Sequence, residues 1–326
     1  MSKKIVIILI IGTALFLNAC KKSTDVFVPD AGQINAADTI WSNSLAATAP
    51  VYTLQNTLLL QTVKDSIEVN ANVALLTTSN GVQLTFPPLC CVGSNGQLIT
   101  GKVYVEILLI KKKGDMVLMN KPTISNGNVL VSGGEIFIML KKDGKELQLA
   151  PNVKIYIRYA DAPTNQQMKL FIGDESNPAQ FNWIPNTTLS DTIGIGPQTY
   201  EIATSHLRWI NCDYFFDTAG ITRSTVSAHL PAHYTNANTT TFLVFKDFRS
   251  VLGMYADVPE KRFISGKVPN GKAAVVVAIS KQGNDYFLGK ETITTGINVT
   301  TGNNQRVSLS PVKTSLADIK LFLSTL

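Results

Sequence analysis

The sequence predicts an all-β protein that consists of two β-sandwich modules in tandem and a short C-terminal helix. Short apolar segments alternate with period two between turn residues, long helical periodicity is nearly absent, and Gly, Thr, Asn, Val and Ile are frequent. Without the leader described next, the chain has 326 − 19 = 307 residues. This length suits two modules of roughly 130–150 residues each.

The N-terminus has the order of a bacterial secretory signal. Lys3 and Lys4 precede the apolar run Ile5–Ile11, and small residues follow immediately before Cys20. The apolar run is short for a membrane span, and no stop-transfer cluster of charges follows it. We therefore expect residues 1–19 to be a cleaved signal peptide. The alternative is a plain signal peptide whose cysteine is incidental.

The segment Leu17–Cys20 resembles the lipobox of bacterial lipoproteins. The resemblance implies diacylglycerol on the Cys20 sulfur, cleavage before Cys20, and acylation of the new amine, for example with palmitate. It also implies attachment to the outer membrane, because Lys21 is not the aspartate that retains some lipoproteins in the inner membrane. Whether the protein faces the periplasm or the cell surface stays open.

Charge argues against a nucleic-acid partner. Removal of the leader leaves 29 − 2 = 27 basic and 23 acidic side chains, a net charge of +4. The basic residues form only small clusters, such as Lys21–Lys22, Lys111–Lys113 and Lys141–Lys142, whereas a nucleic-acid binder concentrates them on one face. The first pair lies beside the predicted lipid, and the other two lie in predicted turns.

The chain is predicted to divide into a tether and two modules. Residues 20–50 are rich in Ala, Thr, Ser, Asn and Asp without apolar periodicity, which is typical of a flexible linker. The first module is expected at 51–205 and the second at 206–326. Alternating apolar positions mark the strands of the first module, namely 67–69, 73–76, 82–86, 103–109, 129–131, 135–140, 147–149 and 153–157, then 168–172 and 181–184.

Part of the first module resembles the ZU5-like β-sandwich group of cytoskeletal adaptors and bacterial envelope proteins. The matching segments are Gly81–Pro88, Gly101–Val105, Val131–Ile136 and Leu149–Ile155. Some members of that group cleave themselves beside a His-Phe-Ser sequence. Here the nearest histidine lies in His206–Arg208, with no serine to attack, so self-cleavage is not expected.

The second module is expected to be a small sandwich of immunoglobulin or transthyretin type. Its predicted strands are 225–230, 241–245, 251–255, 273–279, 286–288 and 307–309. Trp209–Asp213 and Val268–Lys272 resemble segments of uncharacterised Gram-negative envelope lipoproteins. Ser315 followed by Asp318 is a capping box, which predicts a C-terminal helix with Leu316, Ile319 and Leu323 on one face.

Three cysteines remain after Cys20, namely Cys90, Cys91 and Cys212. A bridge between neighbouring residues strains the ring that it closes, so a bridge from Cys90 or Cys91 to Cys212 and three buried thiols are the two alternatives. We favour buried free thiols. No CxxC motif occurs, which argues against a zinc or redox motif.

Residues His206–Phe216 form the densest aromatic patch of the chain, predicted to be a junction or the opening strand of the second module. Trp209 and Tyr214 are candidate ligand contacts that would stack on a sugar ring, flanked by Asp213 and Asp217. The alternative is that these aromatic residues belong to the core.

Histidines provide the other candidate sites. His229 and His233 have the four-residue spacing of metal ligands on a helix, but Pro231 interrupts them and no glutamate follows His229, so no metal and no other cofactor is expected. His206, Asp213 and His229 define the main catalytic alternative, an envelope hydrolase with a site between the modules.

Four Asp-Ser/Thr-apolar segments resemble an O-glycosylation signal of some Gram-negative envelopes; they are Asp38–Ile40, Asp65–Ile67, Asp191–Ile193 and Asp217–Ala219. Thr39 and Thr192 are the predicted acceptors. Asp and Thr are also common neighbours in turns, so some matches arise by chance.

The sequence thus predicts a non-catalytic, lipid-anchored envelope protein with a binding or structural role toward a protein or polysaccharide partner. A binding role would use loops and exposed edges of the second module.

Overall fold

This computed structural model describes residues 36–177, 180–300 and 302–326. The predicted signal peptide 1–19, the predicted lipidation site Cys20 and the first part of the predicted tether lie outside the described residues. The chain is predominantly β, with several sheets and a short C-terminal helix, so the all-β prediction is confirmed. No helix among the described residues is long and apolar enough to cross a membrane.

The first fifteen strands occupy the part of the chain up to Phe215. They are β1 Val63–Val69, β2 Ala74–Thr77, β3 Gln83–Phe86, β4 Cys91–Val92, β5 Gly101–Ile110, β6 Ile124–Ser125, β7 Asn128–Lys142, β8 Lys145–Glu146, β9 Gln148–Leu149, β10 Ile155–Ala160, β11 Lys169–Asp174, β12 Asn182–Pro185, β13 Thr192–Ile195, β14 Thr199–Thr204 and β15 Arg208–Phe215. Most coincide with the strands predicted from apolar alternation.

Ten further strands follow. They are β16 Arg223–His229, β17 Thr239–Phe245, β18 Val251–Asp257, β19 Arg262–Ile264, β20 Val268–Pro269, β21 Ala273–Gln282, β22 Asp285–Thr294, β23 Val299–Thr300, β24 Asn304–Ser308 and β25 Val312–Thr314. Six of them lie close to the predicted positions, and the short strands β19, β20, β23 and β25 were not predicted. The helices are α1 Pro50–Leu58, α2 Lys113–Leu118 and α3 Leu316–Ser324, and Ala36–Thr39 forms a 3-10 turn.

Two sheets made from β1–β15 face each other across one core. The first sheet has the order β1-β5-β7-β15-β11-β12, and the second has the order β13-β14-β10-β3-β2. Alternation sorts their side chains: on β5, Val103, Val105 and Ile107 enter the core, whereas Lys102 and Tyr104 face outward. The second sheet contributes the facing side chains to the same core.

The third sheet is built from β16–β25 in the order β23-β24-β16-β19-β18-β17-β21-β22-β25. One pairing is parallel, with Thr225 opposite Asn304 on β16 and β24. Residues from seven of its strands, including Val226, Leu243 and Val307, share one core, so the sheet must curve around its own side chains.

A second apolar layer lies between the first and third sheets. It contains Phe137 and Trp209 from the first sheet, Val275 and Val277 from the third, and apolar side chains from all three helices. Strands β7 and β21 are consequently buried on both faces, which explains the uninterrupted apolar run that the sequence shows at 273–279.

The aromatic strand β15, predicted to be a junction or the opening strand of the second module, lies in the first sheet. It is hydrogen-bonded between β7 and β11 in the first sheet, with Trp209 opposite Phe137 and Leu170 opposite Cys212. Six consecutive residues from Trp209 to Tyr214 are buried or half-buried. Such a strand needs packing partners on both faces, and an inner position in the first sheet provides them. The predicted boundary at 205/206 thus falls just before a strand of the first sheet.

The described part of the predicted tether packs on the third sheet. The backbone of Ser42 exchanges two hydrogen bonds with the Asn236 side chain, at 3.1 and 2.6 Å. The Trp41 ring lies 4.9 Å from the Phe263 ring, centroid to centroid. Residues 36–50 are therefore not free linker, because the tether composition includes an aromatic anchor that finds a core partner.

The predicted C-terminal helix is confirmed as α3. The Ser315 hydroxyl accepts a hydrogen bond from the Asp318 backbone N–H at 3.0 Å, and Ile319 and Leu323 are buried. Helix α2, which the sequence did not predict, packs closely on α3: a Cβ on Gly114 would lie 1.9 Å from the Leu323 carbonyl oxygen.

Candidate functional site

The two predicted ligand contacts lie on opposite faces of β15. Trp209 is 4% exposed in the layer between the first and third sheets, whereas Tyr214 packs against the core between the first and second sheets. Five residues separate them on an extended strand with one bulge, so their rings cannot stack on the same sugar. The structure does not bring this pair together as a binding platform.

Trp209 belongs to an aromatic cluster that encloses a cation of the protein itself. Phe137, Phe181 and Trp183 lie 5.1, 6.2 and 6.4 Å from its ring, centroid to centroid. The Lys121 ammonium stands 4.0 Å from the Phe181 centroid and 5.0 Å from that of Trp209. Burial lowers the pKa of Lys121 from its ordinary value. The Lys121 side chain therefore covers the aromatic faces that a sugar ring would need.

Two buried carboxyl groups lie in the same layer. Asp213 accepts a hydrogen bond from the Asn211 amide at 2.7 Å, and its other oxygen has no partner among the described residues; nor does either oxygen of Glu135. Burial raises the pKa of Asp213 to about 7, and burial together with the nearby Asp213 raises the pKa of Glu135 well above its ordinary value, although Lys121 opposes this. Both groups are fully enclosed, so no substrate reaches them in this conformation.

The hydrolase alternative requires His206, Asp213 and His229 to meet, and their contacts do not overlap. The His206 ring lies 3.6 Å from Asp191, and the His229 ring lies 3.1 Å from the Ser227 hydroxyl on the third sheet. Asp213 accepts its hydrogen bond from the Asn211 amide instead, at 2.7 Å. These three side chains form no common site.

The two histidines with the spacing of metal ligands lie in different surroundings. His229 ends β16, and the His233 ring packs on Tyr234 in the following turn at 4.3 Å. Within the described ranges, no group of three His, Cys, Asp or Glu side chains is placed to hold a metal ion.

All three cysteines are fully buried free thiols. The Cys90 and Cys91 sulfurs are 3.2 Å apart, whereas Cys212 lies beside Tyr159. Burial raises the pKa of Cys212. The hydrogen bond between the neighbouring thiols lowers the pKa of Cys90 and raises that of Cys91.

The predicted O-glycosylation sites have different surroundings. The Thr39 hydroxyl donates a hydrogen bond to the Ala36 carbonyl at 2.8 Å in the 3-10 turn. Thr192 is exposed on β13, at the rim of a surface groove described next. The preceding Asp191 accepts hydrogen bonds from Thr204 and Ser205, so a structural role accounts for the aspartate of that segment.

The outer face of the second sheet presents two parallel rows of side chains that run across its five strands. Residues directly opposite each other form the first row, Leu75, Thr85, Tyr156, Ala203 and Thr192. The second row consists of Thr77, Gln83, Arg158, Glu201 and Gly194.

Small residues on β13 and β14 lower one side of this face and create a groove. Ala203 lies directly opposite the larger Tyr156, Gly194 lies opposite Glu201, and the space over these small residues measures about 400 Å³. The Tyr156 side chain is 52% exposed. Beside it, the Arg158 guanidinium lies 3.1 Å from the Glu201 carboxylate.

This groove combines one flat aromatic ring with planar hydrogen-bonding groups. Tyr156 offers a ring face, and Gln83, Arg158 and Glu201 offer amide, guanidinium and carboxylate groups at its side. Sequence reasoning missed this site because it concentrated on aromatic density. The signal was the segment Ile155–Tyr159, where an alternating strand places a tyrosine and an arginine on its polar face.

A second cavity lies between the N-terminal segment, the loop before β6 and the third sheet. Its volume is about 280 Å³, and its lining includes Tyr52, Phe181 and Tyr255. The Thr241 hydroxyl in its wall has no hydrogen-bond partner among the described residues. The volume is below the roughly 300–1,000 Å³ of typical small-molecule sites, so the groove on the second sheet is the stronger candidate.

Comparison of this chain with protein-family models, with curated proteins and with solved structures found no match.

Proposed function

We propose that this chain is an outer-membrane lipoprotein that binds a polysaccharide without transforming it, through the outer face of its second sheet. The observation that carries the proposal is the exposed Tyr156 ring beside Arg158 and Glu201, over a groove of about 400 Å³. This site replaces the loops of the second module that the sequence favoured.

The lipobox Leu17–Cys20 supports the membrane anchor, with the acyl chains on Cys20. We propose further that the first and second sheets correspond to a ZU5-like module and the third sheet to an immunoglobulin- or transthyretin-like one. In this arrangement the anchor holds the protein at the membrane, and the second sheet presents the binding face to a polymer.

A polysaccharide suits this face better than a folded protein does. A stable protein interface buries about 800 Å² on each partner around an apolar centre, whereas this face exposes one aromatic ring among polar side chains. A sugar ring has an apolar face that stacks on tyrosine and an edge of hydroxyl groups that pair with amide, guanidinium and carboxylate groups.

The experiment is affinity gel electrophoresis of the purified mature chain against soluble neutral polysaccharides (β-glucan, xylan, mannan) and one anionic polysaccharide (pectin). Wild type is expected to be retarded by at least one of them. Tyr156→Ala should weaken that binding by roughly tenfold or more, which corresponds to about 1.4 kcal/mol of lost contact. Ala203→Trp should weaken it as well, because the new side chain fills the groove.

Tyr104→Ala is the matched control. Tyr104 is 53% exposed, almost the same as Tyr156, but it lies on the outer face of the first sheet. Equal weakening by Tyr104→Ala, or no retardation of wild type by any polysaccharide, would refute the assignment; specific capture of a protein that Tyr156→Ala releases would identify a protein site instead.

The predicted modification at Thr39 and Thr192 remains part of the proposal and meets the groove directly. Thr192 lines the groove, so a glycan on its hydroxyl would occupy the space that we assign to the ligand. Intact mass of the mature protein from a native host tests this: mass beyond that of the lipidated chain supports O-glycosylation, and the mass of the lipidated chain alone refutes it.

A further inference from the structure

The neighbouring cysteines Cys90 and Cys91 lie in a turn that brings their side chains together. Leu89, directly before them, has a positive φ of 50°, and Pro87 and Pro88 precede it. The two sulfur atoms are 3.2 Å apart, closer than two sulfur atoms in ordinary contact. The turn therefore holds the thiols face to face.

The backbone on both sides of this pair is fixed by hydrogen bonds. The Cys90 carbonyl accepts a hydrogen bond from the Ala150 N–H at 2.8 Å, and the Cys91 carbonyl accepts one from the Ile99 N–H at 3.0 Å. Both side chains are fully buried in the core between the first and second sheets. The fixed backbone and the close packing of the core around both side chains favour the short distance between the sulfurs.

We propose that Cys90 and Cys91 form a redox site, in which a disulfide-bearing oxidant converts the two thiols into a vicinal disulfide as the chain folds. One thiolate attacks a sulfur of the incoming disulfide, forms a mixed disulfide and releases the first leaving thiolate. The second cysteine then displaces the remaining leaving thiolate. Two electrons and two protons pass from the pair to the oxidant, which leaves as two thiols.

The strain of a ring between neighbours makes this bond easier to reduce than an ordinary disulfide once unfolding exposes the sulfurs. Adjacent Cα atoms are 3.8 Å apart across a trans peptide, below the usual 4.4–6.8 Å of disulfide-linked residues. Strained disulfides are reduced more easily than structural ones. Ring strain is the reason why the sequence alone disfavours a bridge between Cys90 and Cys91. In the folded turn, however, the two sulfur atoms are already close together. Cys212, by contrast, lies beside Tyr159.

The proposal does not depend on the polysaccharide site, and its test supplies the oxidant. The mature chain is unfolded, refolded with oxidised glutathione, denatured in acid, and then alkylated without reduction. Trypsin places Cys90 and Cys91 alone in the peptide Asp65–Lys102 and Cys212 in the peptide Trp209–Arg223. Mass spectrometry of these two peptides then separates every pairing.

The expected result is an unalkylated peptide Asp65–Lys102 whose mass is lower by two hydrogen atoms, and an alkylated Cys212. Reduction with dithiothreitol before alkylation should add two alkyl groups to the first peptide. Cys212→Ser is the control and should leave the first peptide unchanged. Alkylation of both Cys90 and Cys91 without reduction, or a link between the two peptides, would overturn the proposal.

Discussion

Two regions of this protein combine aromatic rings with charged side chains, one inside and one outside. In the layer between the first and third sheets, Trp209 is 4% exposed, and the Lys121 ammonium lies 5.0 Å from its ring centroid. On the outer face of the second sheet, Tyr156 is 52% exposed beside the Arg158–Glu201 pair. The residue types are alike, and the surroundings are opposite.

The difference shows how to interpret aromatic residues in a β sequence. The dense patch around Trp209 forms an inner layer because burying several large rings together removes a large apolar area from water and stabilises the fold. A lone tyrosine on the polar side of an alternating strand has no such partner, so its ring stays open to a ligand. A dense group of aromatic residues therefore indicates core packing, whereas a single aromatic residue on the polar face of a strand is a candidate ligand contact.

The strongest test of this contrast is Trp209→Ala. Removal of a buried tryptophan is expected to lower the free energy of unfolding by about 3–5 kcal/mol, because it loses apolar burial and leaves a cavity. Chemical denaturation followed by circular dichroism measures this change. Unchanged stability together with lost polysaccharide binding would reverse the comparison and make Trp209 the ligand contact.

The next test uses the enclosed carboxyl groups of the inner layer. The pKa of Asp213 rises from 3.8 to about 7 on folding, so the folded state holds a proton that the unfolded chain has already released. The free energy of unfolding should therefore fall as the pH rises from about 4 to 7, by at most about 4 kcal/mol, and the contribution of Asp213 should level off above pH 7.

Asp213→Asn should flatten this dependence and raise stability at pH 8 relative to wild type, since the amide needs no proton. Denaturation midpoints at several pH values between 4 and 8 provide the measurement. Glu135→Gln is a companion variant with the same expected direction, because burial also raises the pKa of Glu135. A steeper dependence in Asp213→Asn than in wild type would contradict the assignment.

The smallest effect on stability is expected at the outer face. Tyr156→Ala removes a half-exposed ring with Thr85 and Ala203 opposite it, so the free energy of unfolding should fall by less than about 1 kcal/mol. The same denaturation experiment measures it. A decrease in the free energy of unfolding as large as that of Trp209→Ala would mean that the Tyr156 ring stabilises the sheet and is not a free surface for a ligand.

Much of the fold could be predicted because local patterns determine it. Period-two alternation located the strands around Val103, Leu84 and Ile157, and the capping box at Ser315 located α3. The place of β15 could not be predicted in this way. A strand buried on both faces has no polar side to orient it, and its partners β7 and β11 are chosen by long-range packing.

The candidate site was harder to predict than the fold. Thr192 was singled out for a different reason, and Tyr156 and Arg158 were not singled out at all. Their rows run across five strands whose order in the sheet differs from their order in the sequence, with β10 between β14 and β3. Only the register between strands places Tyr156 next to Ala203.

The strand order also determines the order in which the sheets can form as the chain emerges. Every strand of the first and second sheets is present once the chain has emerged as far as Phe215. The parallel pairing of β16, by contrast, requires β24. The hydrogen bond between Ser42 and Asn236 joins residues that are 194 positions apart, so it also forms late. Until the chain beyond Phe215 is complete, the aromatic side of the first sheet should therefore face water, because the third sheet that covers it has not yet formed. This interval is when the emerging chain is most prone to aggregation, and when a chaperone would have the largest influence on its yield.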